Sequence, residues 1–222
     1  MTDLGVERER DFDRFLTFVD AIVAIAITLL VLPLVDVAGT FHGDSVTHLL
    51  SESRDQIWAF FLSFFVIANL WLTQHRLLRH VVYTDAVLIR LMLLWSLTIV
   101  VLPFPTALVA GSTGHQAVTK LLYIGTMAVS ALILALVCLV IRSHPEIRDS
   151  AESPDVLHAF SVFAVFVVAL ALMLWFPGLG YWPLVLLMLP YRVIRLWRRR
   201  AGAHPEVSAR GRRRARDGRP RR

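Results

Sequence analysis

RFLTFVDAIVAIAITLLVL, residues 14–32, is the stretch on which the reading of this chain turns. From about Phe15 to Val37 the residues are almost continuously apolar, with Asp20 as the internal charge and Asp36 at the far end. A helix needs about 20 such residues to cross about 30 Å of hydrocarbon, so the block reads as a membrane span. An aspartate one to two turns inside it costs roughly 2.5–3.5 kcal/mol on insertion scales and therefore needs a partner or a wet cavity. At about 100° per residue, Ala21, Ile25, Thr28 and Leu32 fall on one narrow stripe, and Asp20 points well away from it. An aspartate off the stripe is better read as a staple between helices than as an ion or proton site. The stripe by itself reads as ordinary packing, since small and branched residues also mediate contacts between spanning helices.

Five more apolar blocks follow: roughly Ile57 to Thr73, Ala86 to Ala110, Ala117 to Ile141, Val156 to Phe176 and Tyr181 to Leu196. The third block is interrupted by Arg90 near its start and by Pro103 and Pro105 near its end. The sixth carries Pro183 and Pro190. Of the 222 residues, 56% are hydrophobic and 18% charged, which exceeds the apolar share of an ordinary soluble domain and excludes a disordered chain. The expected fold class is an all-α integral membrane protein with six transmembrane helices in residues 1–200, followed by an Arg-rich disordered tail, 201–222. The first block is expected to stay in the mature protein. Its flank, Glu7 to Arg14, mixes acids with bases, its apolar run exceeds a signal-peptide core, and no small-residue cleavage site follows.

Arginine placement sets the expected orientation. Arg8, Arg10 and Arg14 precede the first helix, Arg76, Arg79 and Arg90 surround the second connection, and Arg142 and Arg148 follow the fourth helix. The opposite side has only Arg54 and Lys120, so both termini are expected in the cytoplasm. The tail accounts for the basic balance of +6. Residues 192–222 hold thirteen arginines against Glu206 and Asp217, a net +11, and the rest of the chain carries −5. The cluster Arg192, Arg195, Arg198, Arg199 and Arg200 reads as an anchor at the anionic leaflet, with no specific nucleic acid expected.

Catalytic patterns are missing: there is no HExxH, GxSxG or phosphate-cradling GxxxxGK[ST]. The eight histidines offer no helical metal pair, and a single cysteine, Cys138, excludes an intrachain disulfide framework and a cysteine-based zinc site. Gly178-Leu179-Gly180-Tyr181 reads as a tight turn rather than an ion-filter loop, because a threonine–valine lead-in is lacking. No enzyme, cofactor or metal is expected. Topology puts the last turns of the second helix at the depth of Asp20, so Asn69, Trp71 and His75 are candidate partners for its carboxylate, with Arg14 and Arg76 as nearby cations.

Three motifs together resemble the endosomal/lysosomal potassium channel family, the transmembrane protein 175 family, in its bacterial form. They are Arg14, Phe18 and Asp20 with AIAITLLVL at 24–32, then NLWLTQHRL at 69–77, then LPFPTA at 102–107. The match covers about half the chain in the family's order and spacing, and the last three helices agree in hydropathy only. The resemblance implies a homotetramer whose first helices line a central pore for K+ ions in a bacterial plasma (inner) membrane. Carried over by position, Ile25 forms the narrowest ring, Thr28 and Leu32 lie further out, and Asp36 stands at the outer mouth if Pro33 does not break the helix first. Arg14, Phe18, Asp20, Asn69, Trp71 and His75 form the structural polar cluster. One position departs: the family's Phe-Ser-Asp has Val19 in the middle here, which removes a hydroxyl from that cluster.

The reading is a potassium-preferring cation channel with passive, slow conduction through a hydrophobic constriction on the first helix. A ring of this kind makes an ion shed water without offering carbonyl replacements. The alternatives are a proton-coupled secondary transporter using Asp20, which predicts an internal repeat that the sequence does not display, and a non-conducting membrane scaffold whose tail recruits a partner.

Overall fold

The structure, a computed structural model, describes residues 3–39, 45–79, 81, 85–111, 117–144 and 156–175. These lie within the first of two compact units, 1–184; the second unit, 185–222, lies outside the described residues, as do the sixth apolar block and the tail. Within the described residues the chain is helical: α1 (Asp3–Leu29), α2 (Leu32–Gly39), α3 (Val46–Glu52), α4 (Arg54–Leu78), α5 (Ala86–Val101), α6 (Pro103–Gly111), α7 (Ala117–Ser143) and α8 (Val156–Trp175). Four candidate spans emerge among them, at 10–39, Arg54–Leu78, 86–111 and Ala117–Ser143, with a shorter apolar stretch, 159–175, in α8. The chain is a multi-pass membrane protein.

Two spans are broken where the sequence places proline. Pro33 has no N–H to continue the ladder, and its ring clashes with the carbonyl four residues back, that of Leu29. Accordingly α1 ends at Leu29, and its last turn tightens through Leu30 N–H to the Ile27 carbonyl (3.3 Å) and Val31 N–H to the Thr28 carbonyl (3.3 Å). The condition attached to Pro33 is thereby met: the helix breaks there, and Leu32 and Asp36 belong to α2 within the same span. Pro103 acts in the same way between α5 and α6. It occupies the first position of α6, where a missing N–H leaves no ladder bond unmade, and Leu102 N–H turns back to the Ile99 carbonyl at 3.3 Å.

α7 is the most enclosed element, packing against α5 and α8 and also touching α4 and α6. Its small residues explain the position: Ala128, Ala131, Ala135 and Cys138 are buried and let neighbouring backbones come close. At one end, Ala135 and Cys138 meet Ala159 of α8, with Leu77 of α4 packed against them. Toward the other end, Ser63 of α4 bonds Tyr123 of α7. Residue numbers rise together along both helices, so α4 and α7 run parallel, and the C-terminal ends of α4 and α7 share one end of the bundle with the start of α8.

A buried chain of hydroxyls ties three of these helices together. Ser63 Oγ lies 2.9 Å from Thr106 Oγ1 and 2.8 Å from the Tyr123 hydroxyl, and Thr106 Oγ1 donates to the Leu102 carbonyl at 2.8 Å. Each hydroxyl has one proton, so the direction is determined. Thr106 spends its proton on the carbonyl, Ser63 must donate to Thr106, and Tyr123 donates to Ser63. The chain ends on the carbonyl beside the Pro103 break and holds α6 against α4 and α7.

Candidate functional site

α1 has two unlike faces. Val19, Val23, Ala26 and Leu30 recur at helical spacing and are at most 3% exposed, packed into the chain where α1 meets α5 and α4. The opposite face is open: Phe18, Ala21, Ala24, Ile25 and Thr28 are exposed, and Ile25 is 59% exposed. Beyond the break, Leu32 and Asp36 on α2 are exposed as well. An aliphatic stripe of this kind, left open by the chain's own fold, faces lipid, a second copy or a pore.

Thr28 has a specific geometry. Its hydroxyl donates to the Ile25 carbonyl at 2.7 Å. The proton is thereby committed within the helix, which leaves the hydroxyl oxygen as an acceptor. Its chemistry is that of an acceptor, suited to a cation.

Asp20, half-buried on the flank between these faces, accepts a hydrogen bond from the Trp71 indole N–H at 2.8 Å. The Trp71 ring in turn lies over His75, one turn later on α4, with ring centroids 5.7 Å apart and planes tilted by 30°. Of the three side chains set out above as partners for Asp20, the indole makes the bond and the imidazole braces the indole. Asn69 is exposed; its carbonyl accepts the Thr73 hydroxyl at 2.8 Å. Arg14 and Phe18 are exposed on α1, and Arg76 is exposed in the last turn of α4. Thus Asp20, Trp71 and His75 come together, whereas no side-chain hydrogen bond, ion pair or ring contact draws Arg14, Phe18 or Asn69 to them among the described residues.

Val19, the position at which the resemblance implies a serine, is fully buried in the face α1 turns toward its own chain. A methyl-bearing side chain there fills apolar space, and the lost hydroxyl leaves no polar group to satisfy. Sequence reasoning missed the Ser63–Thr106–Tyr123 chain. The one available signal was a serine inside the Phe-rich run of α4, and nothing in its spacing names a partner. Among the described residues no group of three or more His, Cys, Asp or Glu side chains is arranged to hold a metal.

The fold and its open first-helix face define a helical, multi-pass membrane protein with a polar staple between its first and second spans. Comparison with known proteins then narrows the class. The profile of the family described as endosomal/lysosomal potassium channel TMEM175 matches residues 14–103, which holds the first two motifs quoted above and the start of the third. A potassium channel of Streptomyces collinus is 34% identical over 93 residues, 42% of this chain and 45% of that relative. The chain therefore spans less than half the length of this curated relative in the match. The crystal structure of a lysosomal potassium-selective channel TMEM175 homologue from Chamaesiphon minutus superposes with a TM-score of 0.63 at 24% identity, covering 80% of this chain and 92% of that one. At that identity the superposition speaks for the fold. The likeness read from the three sequence motifs is borne out: residues 14–103 carry the pattern of the TMEM175 potassium channel family.

Proposed function

We propose that the chain is a potassium-preferring cation channel, without a catalytic step, whose pore is lined by α1 from four copies. The observation that carries the reading is the division of α1 into a buried face and an open one, with Ile25 and Thr28 on the open face. Four such faces around an axis would bury the stripe and enclose a narrow path. Ile25 is the ring that strips water from the ion, and Thr28, whose hydroxyl oxygen is left as an acceptor, favours potassium one turn further along. Such a ring offers no carbonyl substitutes, so conduction is slow and selectivity modest. Leu32 continues the lining past the break, and Asp36 concentrates cations at the outer mouth.

Asp20, Trp71 and His75 hold α1 against α4 and do not touch the ion. Arg14, Phe18 and Asn69, exposed in the single chain, belong to the same polar cluster once copies assemble. Arginine placement orients the channel with both termini in the cytoplasm of a bacterial cell, in its inner membrane. The relative of S. collinus is named a potassium channel and that of C. minutus a potassium-selective one, which supports the ion.

The test is a flux assay on purified protein in liposomes under a potassium gradient with no proton gradient. The reading requires potassium efflux that rises with the gradient without saturating at micromolar ion. Flux that appears only with a proton gradient would instead establish the transporter, and no flux in either condition the scaffold.

A further inference from the structure

Arg90 sits one turn into α5, with its side chain exposed. At about 100° per residue, Val87, Arg90, Leu94, Leu97 and Val101 fall within an arc of roughly 80°. All five are exposed, and Leu88, Met92, Trp95 and Ile99 on the opposite side are buried in the chain. The outer face of α5 is therefore a guanidinium at its foot followed by three aliphatic side chains along about 16 Å of helix.

A permanently charged group one turn into an apolar membrane face extends toward the headgroup layer, where an anionic partner stabilises it. Arg90 has no ion pair among the described residues. Asp85, five residues earlier, falls about 140° round the helix and is half-buried. The shared end of the bundle adds more positive charge, since Arg76 and Arg79 at the end of α4 and Arg142 in the last turn of α7 are exposed there. Seven residues separate the end of α4 from the start of α5, which puts Arg90 at that same end.

We propose that Arg90 holds the phosphate of an anionic phospholipid whose acyl chain lies along Leu94, Leu97 and Val101. The planar guanidinium suits two phosphate oxygens at once. The aliphatic row above it matches a hydrocarbon chain, and the surrounding arginines favour a lipid with net negative charge over a zwitterion. The proposal does not depend on ion conduction.

Acyl-chain photocrosslinking tests it on the full-length protein. The chain is reconstituted into phosphatidylcholine vesicles doped with diazirine-bearing phosphatidylglycerol, or in parallel with diazirine-bearing phosphatidylcholine, and the adducts are mapped by mass spectrometry. Adducts on Leu94, Leu97 and Val101 should be about fivefold more frequent with phosphatidylglycerol, the factor contributed by one arginine near an anionic surface. Arg90→Gln should abolish that preference at these positions, and Arg90→Lys should retain part of it. Equal labelling of α5 by the two lipids in the unaltered protein would overturn the proposal, and this arm requires no variant to fold. It would also be overturned if Arg90→Gln left the preference intact. A change in oligomer size with unchanged lipid labelling would assign the guanidinium to a second copy instead.

Discussion

The indole N–H of Trp71 meets the carboxylate of Asp20 at 2.8 Å, joining α1 to α4 across a separation of 51 residues in sequence. A carboxylate at this depth is tolerable because the indole offers a donor without adding a charge. The ring also brings its own bulk, steadied by His75 beneath it. This bond adds to the packing of Val19, Val23, Ala26 and Leu30, which turns the opposite face of α1 outward.

Trp71→Phe keeps an aromatic ring and removes the donor. The expected loss is about 1.5–3 kcal/mol, the range for a hydrogen bond to a charged group left unmade. Asp20→Ala should cost a similar amount, and the double variant clearly less than the sum, because the two share one interaction. Denaturation midpoints of the detergent-solubilised protein give the cycle. Additive losses would mean that the bond contributes nothing of its own.

A parallel expectation concerns the hydroxyl chain. Ser63→Ala removes the acceptor of Tyr123 and the donor to Thr106 together, so it should destabilise by about 1–3 kcal/mol. Thr106→Val should also destabilise. Combining the two should cost less than their sum, since fewer orphaned groups remain than the single variants imply. The same midpoints measure it.

The two faces of α1 should respond differently to the same added bulk. Ala26 is 1% exposed, and Ala26→Leu should overpack the contact with its own chain at a cost of about 1–3 kcal/mol. Ala24, two residues away, is exposed, so Ala24→Leu should leave the folded chain intact and act on assembly or flux. Size-exclusion profiles and thermal midpoints, read together, separate these outcomes.

Ile25→Asn should raise potassium flux, since an amide at the narrowest ring lowers the cost of partly dehydrating an ion. Thr28→Ala should lower the preference for potassium over sodium by removing the hydroxyl oxygen. Flux and reversal-potential measurements on reconstituted protein check both. Unchanged values in both variants would remove the pore assignment.

Much of this was legible in the sequence because the bilayer imposes coarse rules. Long apolar blocks announce spans, and four of the six expected were found among the described residues, with a shorter apolar stretch at the fifth. The burden of Asp20 in hydrocarbon pointed to a donor near the end of the next span, and Trp71 is one of the three residues that topology offered. Which of the three makes the bond depends on side-chain rotation, which no periodicity encodes. The break at Pro33 was visible as a possibility, but whether a helix kinks, stops or restarts depends on what the freed carbonyls find nearby. The partners of Ser63 were beyond reach for a similar reason. They come from two other helices, and their meeting is a product of packing angles.

Thiol modification at Ile25 tests the central claim most directly. The native cysteine, Cys138, is fully buried, so a water-soluble thiol reagent should leave potassium flux of the unaltered protein unchanged. In Ile25→Cys the same reagent should abolish flux, and in Val23→Cys, on the buried face, it should not. Full flux through Ile25→Cys after complete modification, verified by mass, would contradict a pore lined by the open face of the first helix.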